Sequence, residues 1–180
     1  MLSFITSNRH KWEEIQKMTD LLVEHNLLDY PEIQADTLEA VAEFGINFCY
    51  STTQKPCFIE DSGLFIEALS GFPGVYSSYV FRTVGCRGIL ALLQGTSNRT
   101  CSFKSVIAYK DESGSILFTG EARGSIAHTL QGEHGFGFDP IFIPEGESRT
   151  FALMSTEEKN LYSHRGKAFK TFLKYIEQVR

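Results

Sequence analysis

Leu2-Ser3-Phe4-Ile5-Thr6-Ser7-Asn8-Arg9-His10-Lys11 opens the chain with a short apolar strand that runs through small polar residues toward a helix. From Lys11 onward Trp12, Ile15, Met18 and Leu22 recur at helical spacing, which predicts a helix over residues 11 to about 25. A strand handing the chain to a helix is the building unit of α/β domains. Residues 27–34 read as a second strand broken by Pro31, and Leu38, Val41, Ala42, Gly45 and Phe48 predict a helix to about residue 52. Residues 57–60 read as a short central strand after Pro56, and residues 87–93 carry helical spacing. Two long strand patterns, 100–110 and 116–123, flank Asp111-Glu112-Ser113-Gly114, a turn signal that predicts a hairpin. Residues 141–143 add a strand. Ser155 with Glu158 three positions on forms a capping box for a short helix over 155–160, and an amphipathic helix over about 165–179 closes the chain. No repeat or low-complexity linker divides it. The sum is a single α/β domain with a central mixed sheet and flanking helices.

Length and composition agree. A chain of 180 residues can bury a substantial core, and a hydrophobic content of 42% with 22% charged residues is ordinary for a globular protein. The net charge of −5 argues against a nucleic-acid polymer as ligand, because such binders present a basic face. A single nucleotide needs only a few local cations. The cysteines Cys49, Cys57, Cys86 and Cys101 form no C-x-x-C pair, so neither a zinc site nor a disulfide framework is expected. Without a basic leader or a window of about 18 apolar residues, no signal peptide or membrane span is expected, and the expected location is cytoplasmic.

Four stretches carry chemistry. Thr6-Ser7-Asn8-Arg9-His10-Lys11 delivers small polar residues and a lysine to a helix N-terminus, an arrangement suited to phosphate, although it is no P-loop. Alone it reads equally as a capped helix. Glu60-Asp61-Ser62-Gly63 leaves the end of the short strand, and strand alternation sends Glu60 and Asp61 to opposite faces. Hard carboxylate oxygens suit Mg2+, with Glu32 of Pro31-Glu32-Ile33-Gln34 as a second ligand from the preceding strand. A turn-forming Asp61 and a surface Glu32 are the structural alternatives. Gly135-Phe136-Gly137-Phe138-Asp139-Pro140 lets the backbone approach a ligand and offers Phe136 or Phe138 for stacking on a base, with core packing the competing role for both. Lys159, His164 and Arg165 supply donors at one helix end and the start of the next.

These motifs, together with Gly71-Phe72-Pro73-Gly74-Val75-Tyr76-Ser77, resemble in order and spacing the Ham1-like inosine triphosphate pyrophosphatases, most closely the archaeal form. The resemblance implies an elongated α/β fold of ITPase/Maf-like type with a cleft between two lobes, usually a homodimer. It also implies Mg2+-dependent cleavage of nucleoside triphosphates to monophosphate and pyrophosphate. By matching positions, Glu32 and Asp61 are the metal ligands and Asp61 the general base. Residues Thr6, Ser7, Asn8, Arg9, His10, Lys11, Ser62 and Lys159 contact phosphate and sugar. Phe136, Gly137, Phe138, Asp139, His164 and Arg165 form the base pocket. The chain departs from the family pattern at Ser7, where glycine is usual, at Leu153, where an acid is common, and in lacking a lysine over 38–48, where Lys55 is a candidate substitute. Three rival readings are a Maf-like pyrophosphatase acting on pyrimidine or modified nucleotides, a non-catalytic nucleotide sensor and an RNA-binding module. The serine-histidine-arginine element opposes the first, the Glu32/Asp61 pair the second and the acidic charge the third.

Overall fold

A computed structural model describes residues 2–179. Six strands form one mixed sheet in the order β2-β1-β3-β4-β5-β6. The strands are β1 (Leu2–Ile5), β2 (Val23–Asn26), β3 (Cys57–Ile66), β4 (Thr100–Asp111), β5 (Gly114–Ile126) and β6 (Phe142–Pro144). β1 runs parallel to β2 and β3, and the remaining neighbours are antiparallel. The helices are α1 (Arg9–Gln16), α2 (Leu38–Thr53), α3 (Ser77–Thr83), α4 (Gly85–Leu92), α5 (Thr156–Tyr162) and α6 (His164–Val179).

The predicted hairpin is present, with Asp111 paired to Gly114 across its turn. The capping box closes as read, Ser155 accepting from the Glu158 N–H while Glu158 accepts from the Ser155 N–H. Three expectations are corrected. The first helix stops at Gln16 rather than continuing to about residue 25. Its amide donates to the carbonyls of Thr19 and Leu21 and accepts from the Val23 N–H, so one side chain converts the helix end into a turn. The second strand lies at Val23–Asn26, not 27–34, and Glu32 sits in the irregular segment that follows. Leu27, the apolar residue that misplaced it, is 68% exposed. Finally, β3 does not end at Glu60. It continues to Ile66 because β4 pairs with it along its whole length, overriding the turn character of Glu-Asp-Ser-Gly. The helix α3 went unread, its serine and aromatic run carrying no clear helical period.

Alternation along β3 sorts the core. Phe58 joins Phe4, Ile15, Ile107, Phe118, Phe169 and Phe172 beneath α1 and α6, while Ile59 joins Ile5, Ala42, Ile46 and Val106 beneath α2. Farther along, Leu64 and Ile66 enter a separate core with Phe103, Ala122, Phe142 and Phe151. Between the two cores on the α6 side runs a row of small residues in register, Ser62 opposite Ser105 opposite Gly120. A Cβ on Gly120 would lie 2.1 Å from the His164 carbonyl oxygen and 2.5 Å from the Ala168 nitrogen. Only glycine there lets the first turn of α6 rest directly on the sheet.

Candidate active site

That close seating delivers Arg165 into the gap between the cores, 1% exposed. Its guanidinium donates to Glu14 at 2.6 Å, to Ser62 Oγ at 3.1 Å, and lies 3.3 Å from a Glu60 oxygen. Glu60, 4% exposed, also accepts from Ser105 at 2.6 Å and pairs with Lys11 at 2.9 Å. Glu14 reaches Lys159 at 2.6 Å, and Lys159 reaches Asp139 at the same distance. The result is a continuous chain of charge: Asp139, Lys159, Glu14, Arg165, Glu60, Lys11. Three carboxylates match three cations. Burial alone would raise the pKa values of Glu14 and Glu60, but Arg165 with Lys159 or Lys11 outweighs it and holds both below the ordinary carboxylate range. Asp139 shares its lysine with Glu14, so burial wins there and its pKa is raised. Burial also drives His164 far down, leaving a neutral imidazole stacked on Phe103 at 4.6 Å.

Asp61 stands outside this chain. One residue from Glu60, it faces the α2 side of the sheet, half-buried, and among the described residues accepts one hydrogen bond, from the Ser62 N–H at 2.9 Å. Burial is the main cause that pushes its pKa up to about 6, with Glu60 and Glu32 adding to the rise against Lys11. Glu32 is exposed in the segment after β2, and its charge adds to the rise at Asp61. Among the described residues no group of three or more His, Cys, Asp or Glu is arranged to hold a metal by itself. Two hard oxygen donors that form no ion pair among the described residues nevertheless fit Mg2+, which usually takes one or two carboxylates and completes its shell with water and substrate phosphate.

The first loop packs beside these groups. Asn8 caps α1 by accepting from the Lys11 N–H at 3.3 Å, Thr6 is buried, and Ser7, Arg9 and His10 are exposed. Lys11 Nζ also donates to the Glu60 carbonyl at 3.0 Å, which ties the loop to β3. At the far end of the charge chain, Gly135 and Gly137 adopt φ of 74° and 63°, values that favour glycine, and hold Phe136 between them. Asp139 accepts from the Phe136 N–H at 2.9 Å. The half-buried Phe136 ring lies 4.8 Å from Lys159 Nζ, 5.4 Å from the Arg165 guanidinium carbon and 5.4 Å from the His10 ring. Phe138 is instead buried in the core, edge-on to Phe81, which leaves Phe136 the more accessible of the two rings.

Sequence reading brought Lys11, Ser62, Asp139, Lys159 and Arg165 to one place but assigned them all to ligand, whereas the structure pairs Lys11 with Glu60, Lys159 with Asp139 and Arg165 with Ser62. It missed Glu14 and Ser105. Lys11, Glu14, Ile15 and Met18 fall at i, i+3, i+4 and i+7, so an acid on the inward face of α1 was the available signal for Glu14. Nothing local marks Ser105.

Comparison with known proteins fits this geometry. The model of the Ham1 family matches residues 2–175. A dITP/XTP pyrophosphatase of Thermococcus kodakarensis is 55% identical, covering 98% of this chain and 97% of its own length. One from Pyrococcus horikoshii is 49% identical, covering 97% and 95%. Among solved structures, a HAM1 protein from Coxiella burnetii aligns with a TM-score of 0.86 at 30% identity, covering 99% of this chain and 100% of that one.

Proposed function

The chain belongs to the Ham1 family, and on that footing we propose that it hydrolyses non-canonical purine nucleoside triphosphates, ITP, dITP and XTP, to the monophosphate and pyrophosphate. The observation that carries the reading is the contrast at Glu60 and Asp61: one acid is fully paired, and its neighbour is left half-exposed with raised proton affinity. Asp61 and Glu32 would hold Mg2+, which when bound shields the triphosphate charge. The residues of the chain do the rest. Asp61 orients the attacking water and accepts its proton as the water oxygen bonds the α-phosphorus and the α–β bridging bond breaks. The Thr6–Lys11 loop offers backbone N–H donors at the start of α1 to the phosphates.

Base choice follows from donor polarity. Buried His164 Nδ1 and Arg165 Nε make no hydrogen bond within the described residues, and Arg165 lies against Phe136. A 6-oxo purine brings an acceptor to the Arg165 N–H and to His164 in its Nδ1–H tautomer, whereas the 6-amino group of adenine brings a second donor. A buried donor left unpaired costs about 1–3 kcal/mol. The charge balance also explains why a divalent cation is needed. With Lys11, Lys159 and Arg165 already neutralised, Asp61 and Glu32 leave the site net negative, which alone would repel a triphosphate. The working form is proposed to be a homodimer, checked by sedimentation. Pyrophosphate release from ITP, XTP, GTP and ATP, with and without Mg2+, tests the activity: turnover of ITP and XTP that requires the metal supports it, and turnover of none defeats it.

A further inference from the structure

The contact between His10 and Phe136 joins two segments to which the sequence assigned different tasks. His10 sits in the first turn of α1, inside the loop read as a phosphate contact, yet its ring lies 5.4 Å from Phe136 at an interplanar angle of 14°. An exposed imidazole gains little from solvent-facing stacking, so its placement over this one ring needs a reason. The two partners differ in mobility. Phe136 is anchored, its N–H bound by Asp139 and its ring close to the buried cations Lys159 and Arg165. His10 is exposed and only loosely tethered, with Nδ1 3.9 Å from Glu13, whose other oxygen Arg9 holds at 2.8 Å. Exposed side chains of this kind change rotamer in picoseconds to nanoseconds.

A fixed aromatic leaf facing a movable parallel one is a closed clip. Opening it to about 7 Å, twice a stacking distance, admits one flat heteroaromatic ring. We propose that His10 is the outer leaf of the base-binding clip. In the free protein it covers Phe136, and on binding the purine lies between the two rings. The inference rests on the nucleotide reading above and refines it. His10 precedes Lys11 directly, so one helical turn would grip the base with one residue and the phosphates with the next.

Steady-state kinetics with ITP tests this, with thermal melting of each variant as a folding control. His10→Ala should raise KM about tenfold, which corresponds to about 1.4 kcal/mol, with a smaller effect on kcat. His10→Phe should return KM to within about twofold of the parent, because stacking needs a flat ring and no charge. His10→Lys should not. Inhibition by inorganic pyrophosphate, which has no base, should change less than twofold in His10→Ala. An unmoved KM in His10→Ala overturns the clip, as does rescue by lysine instead of phenylalanine, or a parallel loss of pyrophosphate inhibition. Those results would leave ITP hydrolysis intact, whereas a parent protein that releases no pyrophosphate from ITP removes the nucleotide reading itself and the clip with it.

Discussion

Glu60 and Asp61 are adjacent, chemically alike and opposite in state. Glu60 faces α6, is buried at 4% exposure, and is met by Lys11, Arg165 and Ser105, so its charge is held at every ordinary pH. Asp61 faces the α2 side, meets one backbone N–H, and keeps its proton up to about pH 6. A one-residue step on a strand changes the face, and the face decides whether a carboxylate is structural or reactive. Burial costs both groups. At Glu60 the partners outweigh that cost, whereas at Asp61 Lys11 and the Ser62 N–H do not.

The contrast is broken most forcefully at Asp61. Asp61→Asn should lower kcat for ITP by about 10²–10⁴-fold, the range of a lost general base. A folded variant that keeps near-parental turnover removes Asp61 from the chemistry. Next in size is Glu60→Ala, which leaves half-buried Lys11 and buried Arg165 without their shared acid. Losing one member of a buried ion pair costs about 3–5 kcal/mol, read as a lower midpoint in urea. Its pH dependence has a definite sign. Because the folded-state pKa values of Glu60 and Glu14 are depressed, their contribution is present above the unfolded value of 4.5 and is lost as pH falls below it. Acid unfolding of the parent should therefore begin near that pH and be shallower in Glu60→Ala.

Ser105→Ala should cost about 1.5–3 kcal/mol, the worth of a hydrogen bond to a charged group, with little change in KM. Equal effects from Ser105→Ala in the parent and in Glu60→Ala would show that the hydroxyl does not act through Glu60. The smallest effect returns to Asp61. Its folded pKa of about 6 lies above the unfolded 3.8, so its contribution is full at low pH and falls as pH rises toward 6. Asp61→Asn, which never ionises, should gain about 1–3 kcal/mol of stability at pH 8 relative to the parent and much less at pH 4. A gain of equal size at both pH values would break the link to ionisation.

Sequence reading reached whatever was written locally. The hairpin across Asp111–Gly114, the Ser155/Glu158 capping box and the periodic helix α2 each announce themselves within a dozen residues. The end of α1 did not, because a side chain, Gln16, closes it by bonding backbone up to seven residues ahead. Nor did the length of β3, whose polar middle persists as strand only because β4 arrives to pair with it. In the site, residue types were legible and their partners were not. Lys159 and Arg165 read as free donors because nothing nearby marks Glu14 as their counter-ion, 145 and 151 positions away. The row Ser62, Ser105, Gly120 looks like three unrelated small residues until strand register aligns them.

That separation governs how the molecule is made. Glu14 leaves the ribosome 151 residues ahead of Arg165, the cation that neutralises it. A nascent chain ending before α5 holds two acids, Glu14 and Glu60, without the arginine they share or the Lys159 that also pairs with Glu14. The centre therefore locks only once α6 has been made and lands on Gly120, and a chain cut before α5 lacks it.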